Sequence, residues 1–150
     1  MKSYVSALLA GLVVALAANA DTEKPSSGKL NGNWEVVSLE ADGMKADGKT
    51  GGLEKAVVKN GKVTFYAGEK AIPTFSNLRI VLDPKQPTAL DLVRGERESL
   101  PCLHQLSEDV WKLAVPMVPG KPKPGSRLQR PGSFETKGKP VIVIVAKRVK

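Results

Sequence analysis

The chain has 150 residues, 23 Lys and Arg against 15 Asp and Glu, a formal net charge of +8, one cysteine and one histidine. A single cysteine excludes a disulfide within the chain, and a single histidine excludes a histidine-rich metal site and a two-histidine acid–base pair. Stability must come from packing, and about 130 residues beyond the N-terminal segment suffice for one core but not two.

Residues 1–20 open with Met1 and Lys2, continue through an apolar stretch broken only by Ser6, and close with Ala18-Asn19-Ala20. A basic start, a short apolar run and a small-residue cleavage site read as a secretory signal peptide. The mature chain is expected to begin near Asp21 and to be exported to the periplasm or the extracellular space. The run is shorter than the roughly 18 to 20 residues that span a bilayer, and no second one follows, so no transmembrane segment is expected in the mature chain. Residues 21–29 are polar, with Pro25 and two serines, and are expected to form a disordered tether. Residues 30–150 are expected to form one folded domain.

Within that domain, short apolar stretches recur between turn signals at residues 34–40, 56–59, 62–66, 77–82, 89–93, 102–106, 110–115 and 141–147. They predict about eight strands. Asn60-Gly61 fits a type I′ hairpin, which needs positive φ at both central residues. Asp83-Pro84 and Ser107-Glu108-Asp109 mark two further tight connections, so neighbouring strands should be antiparallel. No segment sustains a helical period. Leu78, Ile80 and Leu82 share one face, as do Leu90 and Leu92, and Trp111, Leu113 and Val115. Strands covered on one side must close into a barrel or stack as a sandwich. The stretch 141–146 is apolar on both faces and should be central, or be covered outside by the tether or by the loop before it.

That loop, residues 116–140, holds six of the eleven prolines and four glycines, and few of its residues can propagate a helix or a sheet ladder. Charge is distributed unevenly. Residues 21–120 carry 13 basic and 14 acidic residues, whereas residues 121–150 carry 9 basic residues against Glu135 alone. Lys121, Lys123, Arg127, Lys137 and Lys139 are therefore candidate contacts for an anionic polymer or surface. Nucleic acid is set aside, because Phe134 is the only aromatic among these basic residues.

Gly43-Met44-Lys45-Ala46-Asp47-Gly48-Lys49-Thr50 fits G-x-x-x-x-G-K-[ST], the phosphate-binding loop. Such a loop must open a helix, and Gly51-Gly52 follows at once at about 1 kcal/mol of helix propensity per glycine. It is read as a Gly- and Asp-rich turn. Cys102 and His104 stand two apart on one strand face, but further ligands at useful spacing are missing, so both are expected to be packing residues. Glu96 and Glu98 sit in a mixed-charge turn with Arg94 and Arg97. No catalytic residue, cofactor or metal is expected.

Leu30-Asn31-Gly32-Asn33-Trp34-Glu35-Val36-Val37-Ser38 with Asp42-Gly43, then Leu82-Asp83-Pro84, Leu90-Asp91-Leu92, Trp111-Lys112-Leu113, Arg130-Pro131-Gly132-Ser133-Phe134 and the final apolar strand ending in Lys147-Arg148, resemble in order and spacing the lipocalin-like domain of unknown function found in secreted planctomycete proteins. The resemblance covers residues 30–148 and implies an all-β, single antiparallel up-and-down β-barrel of about eight strands, with no established activity. The chain departs from the pattern at Leu100-Pro101-Cys102-Leu103-His104, where a glycine and a tyrosine are usual. Gly32-x-Trp34 is also similar to the opening of lipocalins proper, where the tryptophan closes one end of the barrel beneath a basic residue of the last strand. Arg148 or Lys147 would fill that role here. Arg130 and Phe134 are expected to anchor the loop on the barrel. The functional expectation is a secreted, non-enzymatic module that binds a small apolar ligand; the alternative is an interaction protein held to an anionic envelope component by its basic C-terminal segment.

Overall fold

The computed structural model describes residues 27–96, 98–117 and 128–150. The expected signal peptide, most of the expected tether, and Lys121, Lys123 and Arg127 lie outside the described residues. Among the described residues the chain is almost wholly β. The strands are β1 (Gly32–Ala41), β2 (Met44–Ala46), β3 (Lys55–Lys59), β4 (Lys62–Ala67), β5 (Lys70–Ala71), β6 (Leu78–Asp83), β7 (Gln86–Arg94), β8 (Glu98–Ser107), β9 (Val110–Pro116) and β10 (Val141–Arg148). All pairings are antiparallel, and eight strands close into a barrel in the order β1-β3-β4-β6-β7-β8-β9-β10, sealed by β10 on β1 from Trp34↔Arg148 to Ala41↔Ile142. The eight expected strands are all present. The additions are β2, which pairs with the far half of β1, β5, which pairs with the end of β4, and one helical turn, α1 (Gly48–Gly51).

Turn chemistry sets the registers. Asn60 and Gly61 have φ of 51° and 76°, as a type I′ turn demands, and they bring Lys59 opposite Lys62. Pro84-Lys85 joins β6 to β7, and Glu108, at φ 52°, helps turn β8 into β9. Alternation then decides which side chains enter the barrel. Trp34 and Val36 point inward; a bulge between Val36 and Ser38 shifts the parity of β1, so Leu39 and Ala41 continue the inner face while Val37 is left exposed.

Large side chains fill one end of the barrel. Leu30, at the end of a 3-10 turn (Ser27–Leu30), accepts a 2.8 Å hydrogen bond from Trp34 Nε1, and the Trp34 and Trp111 rings meet at 5.6 Å between centroids. Val58, Val63 and Leu78 complete this floor. Outside the barrel, Val141 and Val143 of β10 and Ala114 of β9 form a second apolar cluster with Leu103, Val145 and Phe134. Of the two covers expected for the twofold-apolar last strand, the loop is the one that supplies Phe134.

That loop is tied down by named bonds. The Arg130 guanidinium pairs with Asp91 at 2.8 Å and donates to the carbonyls of Cys102 at 2.7 Å and Leu90 at 3.4 Å. Thr136 Oγ1 donates to Glu40 at 2.7 Å and accepts from the Gly43 amide. Lys112 lies 4.8 Å from the centre of the Phe134 ring. β8 pairs in regular register with β9 from Leu103 to Ser107, and with β7 straight through Pro101, which faces Asp91 and has no N–H to give the ladder. Arg130 brings extra donors to the carbonyls beside that position.

Candidate ligand-binding site

Opposite the floor the barrel is open, and its interior becomes a cavity of about 400 Å³. The walls come from the strand halves remote from Trp34: Leu39 and Ala41 of β1, Phe65 of β4, Leu92 of β7, Val115 of β9, and Ile142 and Ile144 of β10. The rim comes from two connections. One is Ala46 of β2 with Gly51, Gly52 and Leu53 at the end of α1; the other is Ile72 with Phe75, in the 3-10 turn Pro73–Phe75 after β5. Every side chain in this lining is hydrocarbon. Floor and cavity thus divide one barrel, the floor closed by indoles and the far end lined by aliphatic residues with Phe65 and Phe75.

The G-x-x-x-x-G-K-[ST] segment forms one side of the rim. Asp47 caps α1, its carboxylate accepting from the Thr50 amide at 2.6 Å, and this bond holds the carboxyl below the usual aspartate range. The turn's donor is therefore met by the chain's own carboxylate, and a left-handed Gly52 ends the helix after four residues. Gly48 has a packing reason to be glycine. A Cβ there would sit 2.6 Å from the backbone oxygens of both Val36 and Leu53.

Cys102 and His104 both face the barrel interior, yet neither lines the cavity. Burial, reinforced by the Asp91 charge and opposed by Arg130, pushes the Cys102 thiol up to about 12, which suppresses the thiolate that nucleophilic or metal chemistry needs. The His104 Nε2 atom lies 3.1 Å from the Pro87 carbonyl oxygen, so Nε2 donates and Nδ1 is left as the bare nitrogen. Burial lowers its pKa more than that bond raises it. No group of three or more His, Cys, Asp or Glu among the described residues could hold a metal ion.

The remaining candidates fall elsewhere. Gly32, Trp34 and Arg148 meet at the floor; Arg130 and Phe134 hold the loop to the outer face. Lys137 and Lys139 are exposed on that loop, Lys139 paired with Glu135 at 3.5 Å. Arg148 and Lys150 share Asp109, each at 3.3 Å. Sequence reasoning gave none of the rim residues a binding role: Ala46, Gly51 and Gly52 entered only through the phosphate-loop match, while Leu53, Ile72 and Phe75 lie in connections with no periodicity.

No family model, curated protein or solved structure matches the chain. Among the described residues no helix is long and apolar enough to cross a membrane.

Proposed function

We propose that this is an exported, non-enzymatic, lipocalin-like barrel that holds a small apolar ligand in its open end. The observation that carries the reading is the cavity of about 400 Å³ with an all-hydrocarbon lining. Ligand sites typically measure about 300 to 1,000 Å³, and an eight-stranded barrel is just wide enough either to be filled by its own side chains or to take one small molecule. Here the floor follows the first course and the far end the second. A buried hydroxyl would find no partner on these walls and would cost about 2 to 7 kcal/mol, so the enclosed part of the ligand is hydrocarbon and any polar group stays at the rim. Each enclosed methylene contributes about 0.8 kcal/mol. The buried, protonated Cys102 and the neutral His104 support a binding role over a catalytic one. Arg130 and Lys139 each lie against a carboxylate and Arg148 and Lys150 share Asp109, which lowers the positive charge these four side chains offer an anionic envelope component.

Pyrene, a fluorescent hydrocarbon, provides the test. Titration should saturate at one molecule per chain, and Ala46→Phe, which places a ring in the cavity, should weaken binding by about tenfold or more. Pyrene that fails to bind the wild type, or binds Ala46→Phe equally well, contradicts the reading. Export is tested separately by N-terminal sequencing, which should find a chain starting near Asp21.

A further inference from the structure

We propose that the ligand enters and leaves sideways, through the seam between β4 and β6, with residues 68–77 as a hinged flap. The inference rests on the cavity reading and concerns how that site is reached. β4 and β6 share two register pairs, Lys62↔Arg79 and Val63↔Leu78, whereas the other junctions of the ring share four to seven. Beyond Val63 the strands part. β4 continues to Ala67 but pairs there with the two-residue β5, so towards the cavity end the wall between β4 and β6 is a short hairpin and one 3-10 turn. A wall so built has few ladder hydrogen bonds to break, and segments of this kind open at the low end of a protein's local stability.

The flap also roofs the cavity. Ile72 and Phe75 both line it, and Phe75 stands edge-on to Phe65 at 6.3 Å. Phe75 is 37 % exposed, so one side of its ring faces solvent while the other faces the cavity. The flap is bounded by two left-handed residues, Gly68 at φ 67° and Asn77 at φ 54°, positions suited to absorb a backbone rotation. Besides the two β4–β5 register pairs, Tyr66↔Ala71 and Ala67↔Lys70, few bonds fasten it. The Ile72 amide donates to Phe65 O at 2.8 Å, the Asn77 amide to Thr64 Oγ1 at 2.9 Å, and Arg94 Nη1 reaches the Thr74 carbonyl at 3.4 Å while its guanidinium pairs with Glu98. The opposite side of the mouth is held differently, since α1 carries its Asp47 cap and a Leu53 amide bond to Gly48 O at 2.9 Å.

While the closed flap remains the dominant state, a larger open fraction speeds binding and release together and leaves the dissociation constant nearly unchanged. Thr64→Val and Arg94→Gln each remove one fastening without touching the lining, and Asp47→Ala loosens the α1 side instead. In stopped-flow fluorescence with pyrene, Thr64→Val and Arg94→Gln should each raise both association and dissociation rates by about twofold to tenfold, the range one net hydrogen bond commands, with the dissociation constant nearly unchanged. Asp47→Ala should leave both rates as in the wild type. Rates that respond to Asp47→Ala and not to the flap substitutions overturn the lateral entrance and place it beside α1. Unchanged rates in all three also overturn it while leaving the cavity reading intact; a wild type that binds no pyrene overturns both.

Discussion

Arg148 lies over Trp34, with its guanidinium carbon 4.4 Å from the centre of the indole ring. The same guanidinium donates to Asn31 O at 2.6 Å and Lys29 O at 2.7 Å, so the last strand clamps the segment that leads into the first. Gly32 follows from this. It has φ 134°, and a Cβ there would meet Arg148 Nη1 at 3.0 Å. Trp34 has no exposed surface and touches Trp111 as well as Arg148. Trp34→Ala should therefore cost about 3 to 5 kcal/mol in denaturant unfolding, a large share of a domain's total. A midpoint unchanged within error would mean the floor is not the keystone described.

Gly48 and Gly51, three residues apart in α1, should behave oppositely. An added Cβ at Gly48 meets two backbone oxygens, which cannot move aside cheaply, and Gly48→Ala should destabilise the fold by about 1 to 3 kcal/mol. At Gly51 the Cβ meets the end of the flexible Leu39 side chain, which lines the cavity. Gly51→Ala should fold normally but turn Leu39 into the cavity and weaken pyrene binding. Thermal melts and titrations of the two variants separate these outcomes.

Acidification should weaken the fold through His104. Its folded pKa is depressed by burial, so below the unfolded value of about 6.5 the unfolded chain takes up a proton that the native one refuses. The stabilisation is complete above that pH and is lost as pH falls towards the folded pKa. Urea midpoints measured between neutral pH and about pH 5 should decline, and His104→Gln should flatten the decline in that window.

Cys102 supplies a companion test at alkaline pH. With its pKa raised to about 12 and its side chain fully buried, the thiol should resist an aromatic disulfide reagent at pH 8 in native protein and react at once in denaturant. Rapid reaction of the native protein would place the thiol at the surface.

Arg130 joins a charge to two carbonyls beside Pro101. Arg130→Met should cost about 1 to 2 kcal/mol, since the ion pair with Asp91 is one-third exposed and partly screened while the carbonyl bonds lose their donor. Protease cleavage in the 128–140 segment should accelerate in the same variant, as the loop loses its anchor.

The barrel was legible in the sequence because its signals are local. Alternation in 78–82 and 111–115, the Asn60-Gly61 turn and the doubly apolar 141–146 stretch each reflect a strand's own two faces. The cavity was not legible, because it depends on which inner positions leave space unfilled and on two irregular rims that only the closed barrel brings together. The parity change at Val37 shows the limit well: strict alternation from Trp34 would have turned Leu39 outward, and only the bulge returns it to the cavity wall. Charge summed over residues 121–150 also leaves out Asp91 and Asp109, which lie outside that segment in sequence and pair with its Arg130, Arg148 and Lys150 in the fold.

The most direct test of the cavity reading is a methyl-resolved NMR titration with pyrene. Ring-current shifts should be largest at Leu39, Leu92, Val115, Ile142 and Ile144, the cavity wall, and small at Leu30, Val58 and Leu78 in the floor. Shifts confined to outer-face methyls such as Val81 and Val143, or an absence of shifts at saturating pyrene, would contradict a ligand held inside the barrel.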